Sequence, residues 1–396
     1  MKHAIIIPSG AAGEALEELD GRTPLEAAAL PTLDELAAIG RTGTARTVPT
    51  GMAPCGELTV LSVLGYDPRS HAVARGPLEA LARGLPVGEN DLVFRCNLVT
   101  VMDGRLLDLA AGYIDTVQAG QLLADLNEAL EDRSVSFHAG RSYRGLFFWR
   151  DAGPLPRLRT TDPQGLVDQA VKRHLPAGAG SEPLVRMFHW AQHRLAEHDI
   201  NAVRQDLGEN PANAVWVYGQ GPQAELPAFA ERFGVRGAMV AGVDRVRGLA
   251  RAVGWDVLDV PGATGLPDTD LGAKGRAAVR ALDQHDVVCV HVEAADELSH
   301  AGEVQRKVAL LEALDRDVVA PLYVRLRAES QYRLLVMPDH GTSVIERRHL
   351  AGPTVFLMAG TGIGSSRGEA FDEATAADGE MHLDRGCDLM EYFLRR

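Results

Sequence analysis

Six short runs of apolar, largely β-branched residues constrain the fold of this 396-residue chain more than any other feature. Most of them are apolar without interruption, which is typical of strands buried on both faces of a sheet. Segments with helical periodicity lie between the runs, for example residues 304–314. This alternation predicts an α/β protein with a doubly wound, mostly parallel sheet. The six runs are residues 4–7, 214–218, 238–243, 287–292, 334–337 and 354–358.

Residues 74–178 have a different pattern. Two long runs suited to strands, 92–101 and 143–149, flank a helical segment near 118–130, and a Pro- and Gly-rich stretch follows at 176–181. We therefore predict an inserted, smaller α+β cap domain over 74–178. Residues 1–73 and 179–396 would form the core.

Composition and charge exclude several classes of protein. The formal net charge is -14 and the basic residues are dispersed, which disfavours nucleic acid as a partner but leaves small anionic ligands open. No apolar run reaches the roughly 18 residues that a membrane span needs. Cys55, Cys96, Cys289 and Cys387 are far apart, which disfavours a disulfide framework and a zinc ribbon. These features predict a cytoplasmic protein; its oligomeric state stays open.

Five residues with metal-ligand side chains follow two of the predicted strands. Asp296 and His300 come after the run 287–292, and Asp339 and His340 come directly after 334–337. Ligands in open α/β sheets gather at the carboxyl ends of strands. Asp296 and His300 are four residues apart, so a helix would place both on one face, and His349 could complete a three-ligand site. Singly, each residue has a structural interpretation; together they predict a metal centre.

Several cations are candidates for binding a phosphate or a carboxylate. Dispersed arginines are more often surface residues paired with acids, so the sequence does not by itself bring these side chains together. The candidates are Arg75, Arg95, Arg144, Arg204 and Lys274.

Ten ordered motifs, spread over nearly the whole chain, resemble those of archaeal-type cofactor-independent phosphoglycerate mutases of the alkaline phosphatase superfamily. The resemblance implies that superfamily's α/β fold. The motifs are residues 23–28, 64–68 (LGYDP), 75–80, 94–100, 111–114, 201–204, 216–221, 261–265, 291–296 and 339–340.

The resemblance also implies a chemistry. Such proteins hold two divalent ions, commonly manganese or zinc, and pass a phosphoryl group through a serine to interconvert 2- and 3-phosphoglycerate. By resemblance, Asp296, His300 and His349 match the ligands of one ion, whereas Asp339 and His340 match ligands of the other.

Three positions depart from the family pattern. Ser9, in Pro8-Ser9-Gly10, stands where the resemblance implies an aspartate ligand of the second ion. Counting back from residues 64–68 places Gly56 where the serine nucleophile is expected. Thr160-Thr161-Asp162 stands where the family has Pro-Pro-His-Asp, which leaves Asp162 as a candidate substrate-binding residue but loses a histidine.

The first two departures are chemically coherent, because covalent transfer needs both a nucleophile and the adjacent ion. We therefore expect a diverged mutase-like protein that binds one divalent ion, manganese or zinc with magnesium possible, rather than two. Its ligand would be a small phosphorylated or carboxylated metabolite.

Two enzymatic alternatives remain open. One is metal-dependent phosphoryl transfer on another phosphate or phosphonate substrate. The other is an active mutase whose nucleophile is the Cys55 thiolate, next to the glycine. Glu57 could instead offer a carboxylate to the depleted ion site.

Overall fold

The protein is described from a computed structural model that covers residues 1–155, 157–221, 223–366 and 368–395. The chain forms two compact units. The first comprises Met1–Ala72 and Glu225–Arg396, and the second is Val73–Ala224. Within the described residues, no helix is long and apolar enough to cross a membrane.

Strands and helices are numbered here in chain order. The strands are β1 Lys2–Pro8, β2 Gly10–Ala12, β3 Arg41–Ala45, β4 Leu92–Met102, β5 Arg105–Asp108, β6 Val135–Ala139, β7 Arg144–Trp149, β8 Ala214–Gly221, β9 Gly237–Val240, β10 Asp256–Val257, β11 Val287–Val292, β12 Tyr332–Val336, β13 Gly341–Ser343, β14 Arg348–His349, β15 Thr354–Gly360 and β16 Met381–Leu383. The helices are α1 Pro24–Ala27, α2 Pro31–Ile39, α3 Gly56–Val63, α4 Arg75–Ala82, α5 Thr116–Ala129, α6 Glu182–Ala196, α7 Asp199–Asp206, α8 Phe229–Phe233, α9 Asp244–Ala252, α10 Leu271–Ala281, α11 Ala294–Ala301, α12 Val304–Leu314, α13 Ala320–Arg327, α14 Glu373–Ala377 and α15 Asp388–Leu394.

The first unit is built on an eight-stranded sheet. Its strand order is β10-β9-β11-β1-β12-β15-β3-β16. Consecutive residues Ala4, Ile5, Ile6 and Ile7 of β1 are all fully buried, so side chains on both faces of this strand lie in the core. This explains why the sequence shows an uninterrupted apolar run rather than alternation. The predicted α/β class, with a doubly wound and mostly parallel sheet, is confirmed.

The middle of the sheet positions the polar residues. Strand β1 pairs in parallel with β11 on one side and with β12 on the other. The carboxyl ends of these three neighbouring strands therefore lie at one edge of the sheet, and Ser9, Asp296 and Asp339 follow them within four residues.

One predicted strand runs in the opposite direction from the parallel majority. Strand β15 pairs antiparallel with both β12 and β3. Its residues from Thr354 to Ala359 are buried, which is why the sequence could not reveal the reversal. Burial on both faces removes polar alternation whichever way a strand runs.

The run 214–218 was wrongly predicted to belong to the main sheet. It lies in β8, which pairs antiparallel with β4 in the five-stranded sheet of the second unit. Helices α6 and α7 precede β8 in the same unit. The inserted unit consequently ends at Ala224 rather than at 178, because the sheet needs β8 to cover one side of β4.

The second unit has a core of its own. In its sheet the order is β5-β4-β7-β6, with β8 on the other side of β4. Phe94 and Phe147 from this sheet pack with Leu122 of α5 and Ala191 of α6. This α+β composition agrees with the pattern predicted for the insertion.

Candidate metal centre

The ends of three adjacent strands carry the polar residues of the site. Ser9 follows β1, Asp339 and His340 come shortly after β12, and Asp296 lies in α11, which begins two residues after β11. All four side chains are buried. Gly10 has a φ of +68°, and a Cβ there would lie 2.6 Å from the Asp296 α-carbon, so glycine allows this close approach of β2 and α11.

Asp296 is the centre of the cluster. Its Oδ2 lies 3.5 Å from Nε2 of His300, and its Oδ1 lies 3.4 Å from Nε2 of His349. The Thr342 hydroxyl donates a hydrogen bond of 2.6 Å to the same Oδ1. Burial opposes ionisation, but His300 and His349 hold the pKa of Asp296 well below its usual value. The site therefore keeps an ionised carboxylate in its interior.

The three candidate histidine ligands share one kind of contact, because Nδ1 of each lies beside a backbone carbonyl. Nδ1 of His300 lies 2.7 Å from the Arg347 carbonyl, Nδ1 of His340 lies 3.3 Å from the Gly341 carbonyl, and Nδ1 of His349 lies 3.4 Å from the Pro54 carbonyl. A carbonyl only accepts, so each Nδ1 carries the proton. Nε2 is therefore the nitrogen that each ring can offer as a ligand once it carries no proton, as is typical of metal-binding histidines.

A group able to hold a metal ion results from this arrangement. One ligand atom from each of Asp296, His340 and His349 lies within 4.8 Å of the others. Two imidazoles with one carboxylate form a donor set that suits zinc or manganese. The predicted division into a set with His300 and a separate pair with Asp339 is less sharp here, because the rings of His340 and His349 lie 4.1 Å apart.

His300 lies at the outer side of this group. Burial lowers the pKa of its imidazole, but the Asp296 carboxylate outweighs burial and raises it to about 9. His349 shows the same balance, and its pKa is also raised. In the ion-free protein the His300 ring is thus protonated at neutral pH, and an ion bound to it would have to displace that proton.

Asp339 is fully buried and faces α3. Its Oδ2 accepts a 2.7 Å hydrogen bond from the Thr59 hydroxyl, whereas its Oδ1 has no hydrogen-bond partner among the described residues. Burial again opposes ionisation, but the imidazoles of His340 and His291 lower the pKa of Asp339. Hydrogen bonding by the side chains of Thr59 and Ser9 lowers the pKa of Asp339 further, which keeps this carboxylate ionised inside the protein.

The first turn of α3 contains both candidate nucleophile positions. Gly56 is its first residue and Cys55 is the N-cap, with a half-buried side chain. A Cβ built on Gly56 would lie 2.7 Å from both Nε and Nη2 of Arg245 and 3.0 Å from its Cζ. The guanidinium of Arg245 therefore lies directly against the Gly56 α-carbon.

Arg245 belongs to a buried polar chain beside this turn. It comes from α9 and forms an ion pair with Oε1 of Glu293, the residue before α11. The other oxygen, Oε2, lies 3.6 Å from Nε2 of His291. Burial lowers the pKa of His291 to about 4, so this imidazole is neutral at pH 7.

Three of the predicted ligand-binding residues lie around Glu79 in the second unit. Arg95 forms a 2.5 Å ion pair with Glu79, and Arg75 forms one of 3.1 Å. Asp162 lies 3.7 Å from Arg75. Burial raises the pKa of Glu79, but these arginines outweigh it and lower the pKa to about 2. The arginine pair thus has its own internal counter-ion.

The other predicted cations do not join this group. Arg204 donates hydrogen bonds to Asn210, Gln118 and Ala111. These contacts hold its side chain within the second unit. Arg144 lies over the Tyr143 ring. In the first unit, the Lys274 ammonium donates to the carbonyls of Thr264 and His291. The roles of all these residues in ligand binding stay predictions.

Sequence reasoning did not single out Thr59, Glu293, Thr342 or Arg245 as residues of the site. Thr59 and Glu293 each lie three residues from a predicted position, so helical spacing could have indicated them. Thr342 and Arg245 carry no such signal: Arg245 reaches Gly56 from a helix almost two hundred residues away in sequence.

The α/β sheet carries, at its strand ends, carboxylates and imidazoles that could hold a metal ion. Comparison with known proteins is more specific. A model of the family described as 2,3-bisphosphoglycerate-independent phosphoglycerate mutase matches residues 37–201. The 2,3-bisphosphoglycerate-independent phosphoglycerate mutase 2 of Methanothermobacter thermautotrophicus is 40% identical to this chain over 395 residues. The match covers 100% of this chain and 97% of the relative. The chain belongs to the 2,3-bisphosphoglycerate-independent phosphoglycerate mutase family.

Solved structures agree with this assignment. A protein of Pyrococcus horikoshii has a TM-score of 0.84 at 28% identity, covering 99% of this chain and 97% of its own. A cofactor-independent phosphoglycerate mutase from Thermoplasma acidophilum has a TM-score of 0.64 at 26% identity, covering 100% of both chains. The relationship therefore extends over both units.

Proposed function

We propose that this family member binds one divalent ion and a small phosphorylated or carboxylated metabolite, without interconverting 2- and 3-phosphoglycerate through a serine. Asp296, His340 and His349 would hold the ion, with His300 beside them. Manganese and zinc suit these donors, and magnesium is possible. The cytoplasmic location predicted from the sequence belongs to the same proposal.

The observation that carries this proposal is Gly56 at the start of α3. The family resemblance assigns the nucleophile to this position, and Thr59 in the same turn donates to Asp339. A glycine here offers no side-chain oxygen as a nucleophile, and the space beyond its α-carbon contains the Arg245 guanidinium. Ser9, which the resemblance assigns to a ligand of the second ion, has its hydroxyl oxygen 3.5 Å from Nε2 of His340.

The remaining donors fit a single ion. A bound divalent ion would attract a phosphate or carboxylate oxygen of the metabolite as a Lewis acid. Asp296 contributes the negative charge that holds such an ion, and Thr342 fixes the orientation of that carboxylate. The three Nδ1-to-carbonyl contacts fix the imidazoles. Recognition of the metabolite thus needs no covalent bond to the protein.

The first experiment compares metal content with mutase activity. Purified wild-type protein, loaded with Mn²⁺ and dialysed, should contain one ion per chain by mass spectrometry of metals. With 3-phosphoglycerate it should form no 2-phosphoglycerate in a coupled assay in which the Methanothermobacter relative serves as positive control. Sustained turnover at a rate comparable to that relative would contradict the proposal.

Matched variants locate the ion. Asp296→Asn should abolish Mn²⁺ binding, because it removes the charged ligand that all three histidines surround. Glu297→Gln changes the next residue of α11, whose side chain is half-buried, and should retain the ion. Equal metal content in the two variants would show that the ion, if bound, lies elsewhere.

A second candidate function is metal-dependent phosphoryl transfer on another phosphate or phosphonate substrate. The pair of His291 and Glu293 favours it, since a neutral buried imidazole 3.6 Å from a carboxylate can hold and orient a water molecule. Hydrolysis of a simple phosphate ester such as p-nitrophenyl phosphate, present in wild type and lost in both Asp296→Asn and His291→Phe, would favour this function over binding alone.

An active mutase that uses Cys55 is the third candidate. Its thiol is one residue from the proposed nucleophile position, at the N-cap of α3. If the coupled assay detects activity, Cys55→Ala should abolish it, whereas Cys387→Ala, with the change at another cysteine of the same unit, should not. Equal activity in the two variants excludes the cysteine route.

A further inference from the structure

We infer that Arg245 is a fixed cation that replaces the second metal ion and blocks the nucleophile position, so that the site accepts one ion only. The inference rests on the proposed function, because it explains why that function uses a single ion. It assigns to Arg245 a role in determining metal stoichiometry.

The first argument is steric. The Arg245 guanidinium lies where a side chain on Gly56 would begin, with three of its atoms at or below 3.0 Å from the position of a Cβ. Real side chains do not approach this closely, so either the guanidinium moves or Gly56 stays a glycine. The side chain of Arg245 is only 10% exposed and is paired with Glu293, which restricts such movement.

The second argument concerns charge. Asp339 and Glu293 are buried carboxylates, and a buried charge is costly unless an opposite charge compensates it. Ser9 contributes no negative charge to help attract a second divalent ion. Arg245 supplies positive charge to Glu293 from within the chain, and a guanidinium remains charged at every pH at which proteins fold.

The third argument concerns location. Glu293 precedes α11, the helix of Asp296, and its backbone carbonyl accepts a hydrogen bond from the Asp296 amide. Gly56 begins the helix whose Thr59 donates to Asp339. Arg245 thus contacts both elements that border the Asp339 side of the metal centre. A second ion at Asp339 and the guanidinium would compete for this side.

Rebuilding the second ion site tests the inference. With Mn²⁺ in excess followed by dialysis, wild type and Ser9→Asp should each retain one ion per chain. The double variant Ser9→Asp/Arg245→Ala should retain two, because the missing carboxylate returns and the competing cation is gone. Ser9→Asp/Arg247→Ala is the matched control, since Arg247 lies on the same helix but pairs with the exposed Asp259; it should retain one ion.

Two results would overturn the inference. If Ser9→Asp alone retained two ions, Arg245 would not exclude the second. If a folded Ser9→Asp/Arg245→Ala protein retained only one, removing the guanidinium would not open the site.

A steric test is independent of metal. In ion-free protein, Gly56→Ser should lower the Tm by roughly 3 °C or more, because it displaces a buried, paired guanidinium. In the Arg245→Ala background the same change should have little effect. An equal lowering in both backgrounds would refute the placement of Arg245, even where the aspartate variants do not fold.

The two tests distinguish a failure of this inference from a failure of the proposed function on which it rests. A wild type that binds no ion contradicts the proposed function, whereas the steric test still decides whether Arg245 fills the space beside Gly56.

Discussion

At the scale of single residues, Thr342 contacts two of the proposed metal ligands. Its hydroxyl donates a hydrogen bond of 2.6 Å to Oδ1 of Asp296, and the same hydroxyl oxygen lies 3.1 Å from Nδ1 of His340. Thr342 thus connects two of the proposed metal ligands. We predict that Thr342→Val lowers the affinity for Mn²⁺ by about 10- to 100-fold, the usual effect of losing a partner behind a ligand. Isothermal titration calorimetry measures this directly.

The control for this prediction is Thr354→Val. Thr354 is also a buried threonine of the first unit, but its hydroxyl has no hydrogen-bond partner among the described residues. The affinity for Mn²⁺ should be unchanged in this variant. Equal losses of affinity in both variants would mean that packing, not the hydrogen bond to Asp296, is responsible.

His300 predicts how the affinity for the ion depends on pH. Its pKa, raised to about 9 by Asp296, keeps the ring protonated at pH 7 in the ion-free protein. The affinity for Mn²⁺ should therefore increase between pH 7 and 9, and binding should release protons. Titrations in buffers of different ionisation enthalpy count these protons; their absence at pH 7 would contradict the assignment.

For the free energy of unfolding, His300 predicts the opposite dependence on pH: stability should fall as pH rises. Because the folded pKa of His300 lies above its ordinary value of 6.5, the stabilisation from its pair with Asp296 is fully present below pH 6.5. It is lost as pH rises through about 9. Chemical denaturation of ion-free protein should show that the free energy of unfolding declines as pH rises through this range. In the His300→Gln variant this pH-dependent decline should be smaller.

At the scale of secondary-structure elements, Asp315 caps a helix from a distant part of the chain. Helix α2 has Leu30 at its N-cap, so no side chain there accepts its first amides. Asp315, in the π-helical turn Asp315–Val319, accepts from Thr32 and Leu33 at 3.0 and 2.9 Å. Asp315→Ala should cost about 1–3 kcal/mol of unfolding free energy. Asp317→Ala in the same turn, whose carboxylate pairs with exposed Arg316, should cost clearly less.

Elements also show how much of the fold was predictable. The uninterrupted run in β1 predicted a doubly buried strand, and its neighbours β11 and β12 came from equally clear runs. The run in β8 has the same composition but belongs to the other unit, and β15 has it while running antiparallel. Apolar composition reports burial, whereas partner and direction depend on contacts distant in sequence.

In the candidate site, too, local spacing predicted some contacts, whereas others depend on packing between distant segments. Asp296 and His300 are four residues apart and lie on one helix, as local spacing predicts. Oδ2 of Asp296 is 3.5 Å from Nε2 of His300. The contact of Arg245 with Gly56 depends on how α9 packs near α3, and no local pattern encodes it. Ligand roles for these residues remain predictions that metal analysis has to test.

At the scale of the whole molecule, the second unit depends on a buried ion cluster. Glu79 is 2% exposed and pairs with Arg95 and Arg75. Glu79→Gln should lower the free energy of unfolding by about 3–5 kcal/mol, because Arg95 would remain buried without its counter-ion. Glu128→Gln, an exposed change on α5, should be within about 0.5 kcal/mol of wild type.

Acid sensitivity gives the same cluster a second test. The folded pKa of Glu79 is about 2, below its ordinary value of 4.5. Its stabilisation is therefore present above pH 4.5 and lost as pH falls through 2. Wild-type protein should lose more stability than Glu79→Gln across this range; parallel curves would contradict the role of the carboxylate.

The most direct test of the central claim is a crystal structure of the Mn²⁺-loaded protein soaked with 3-phosphoglycerate, with manganese located by anomalous scattering. We predict one manganese peak, bound by Asp296, His340 and His349, with the Arg245 guanidinium against Gly56 and no phosphoryl group on the protein. A second manganese at Asp339, or a phosphoryl group on Cys55, would contradict the account.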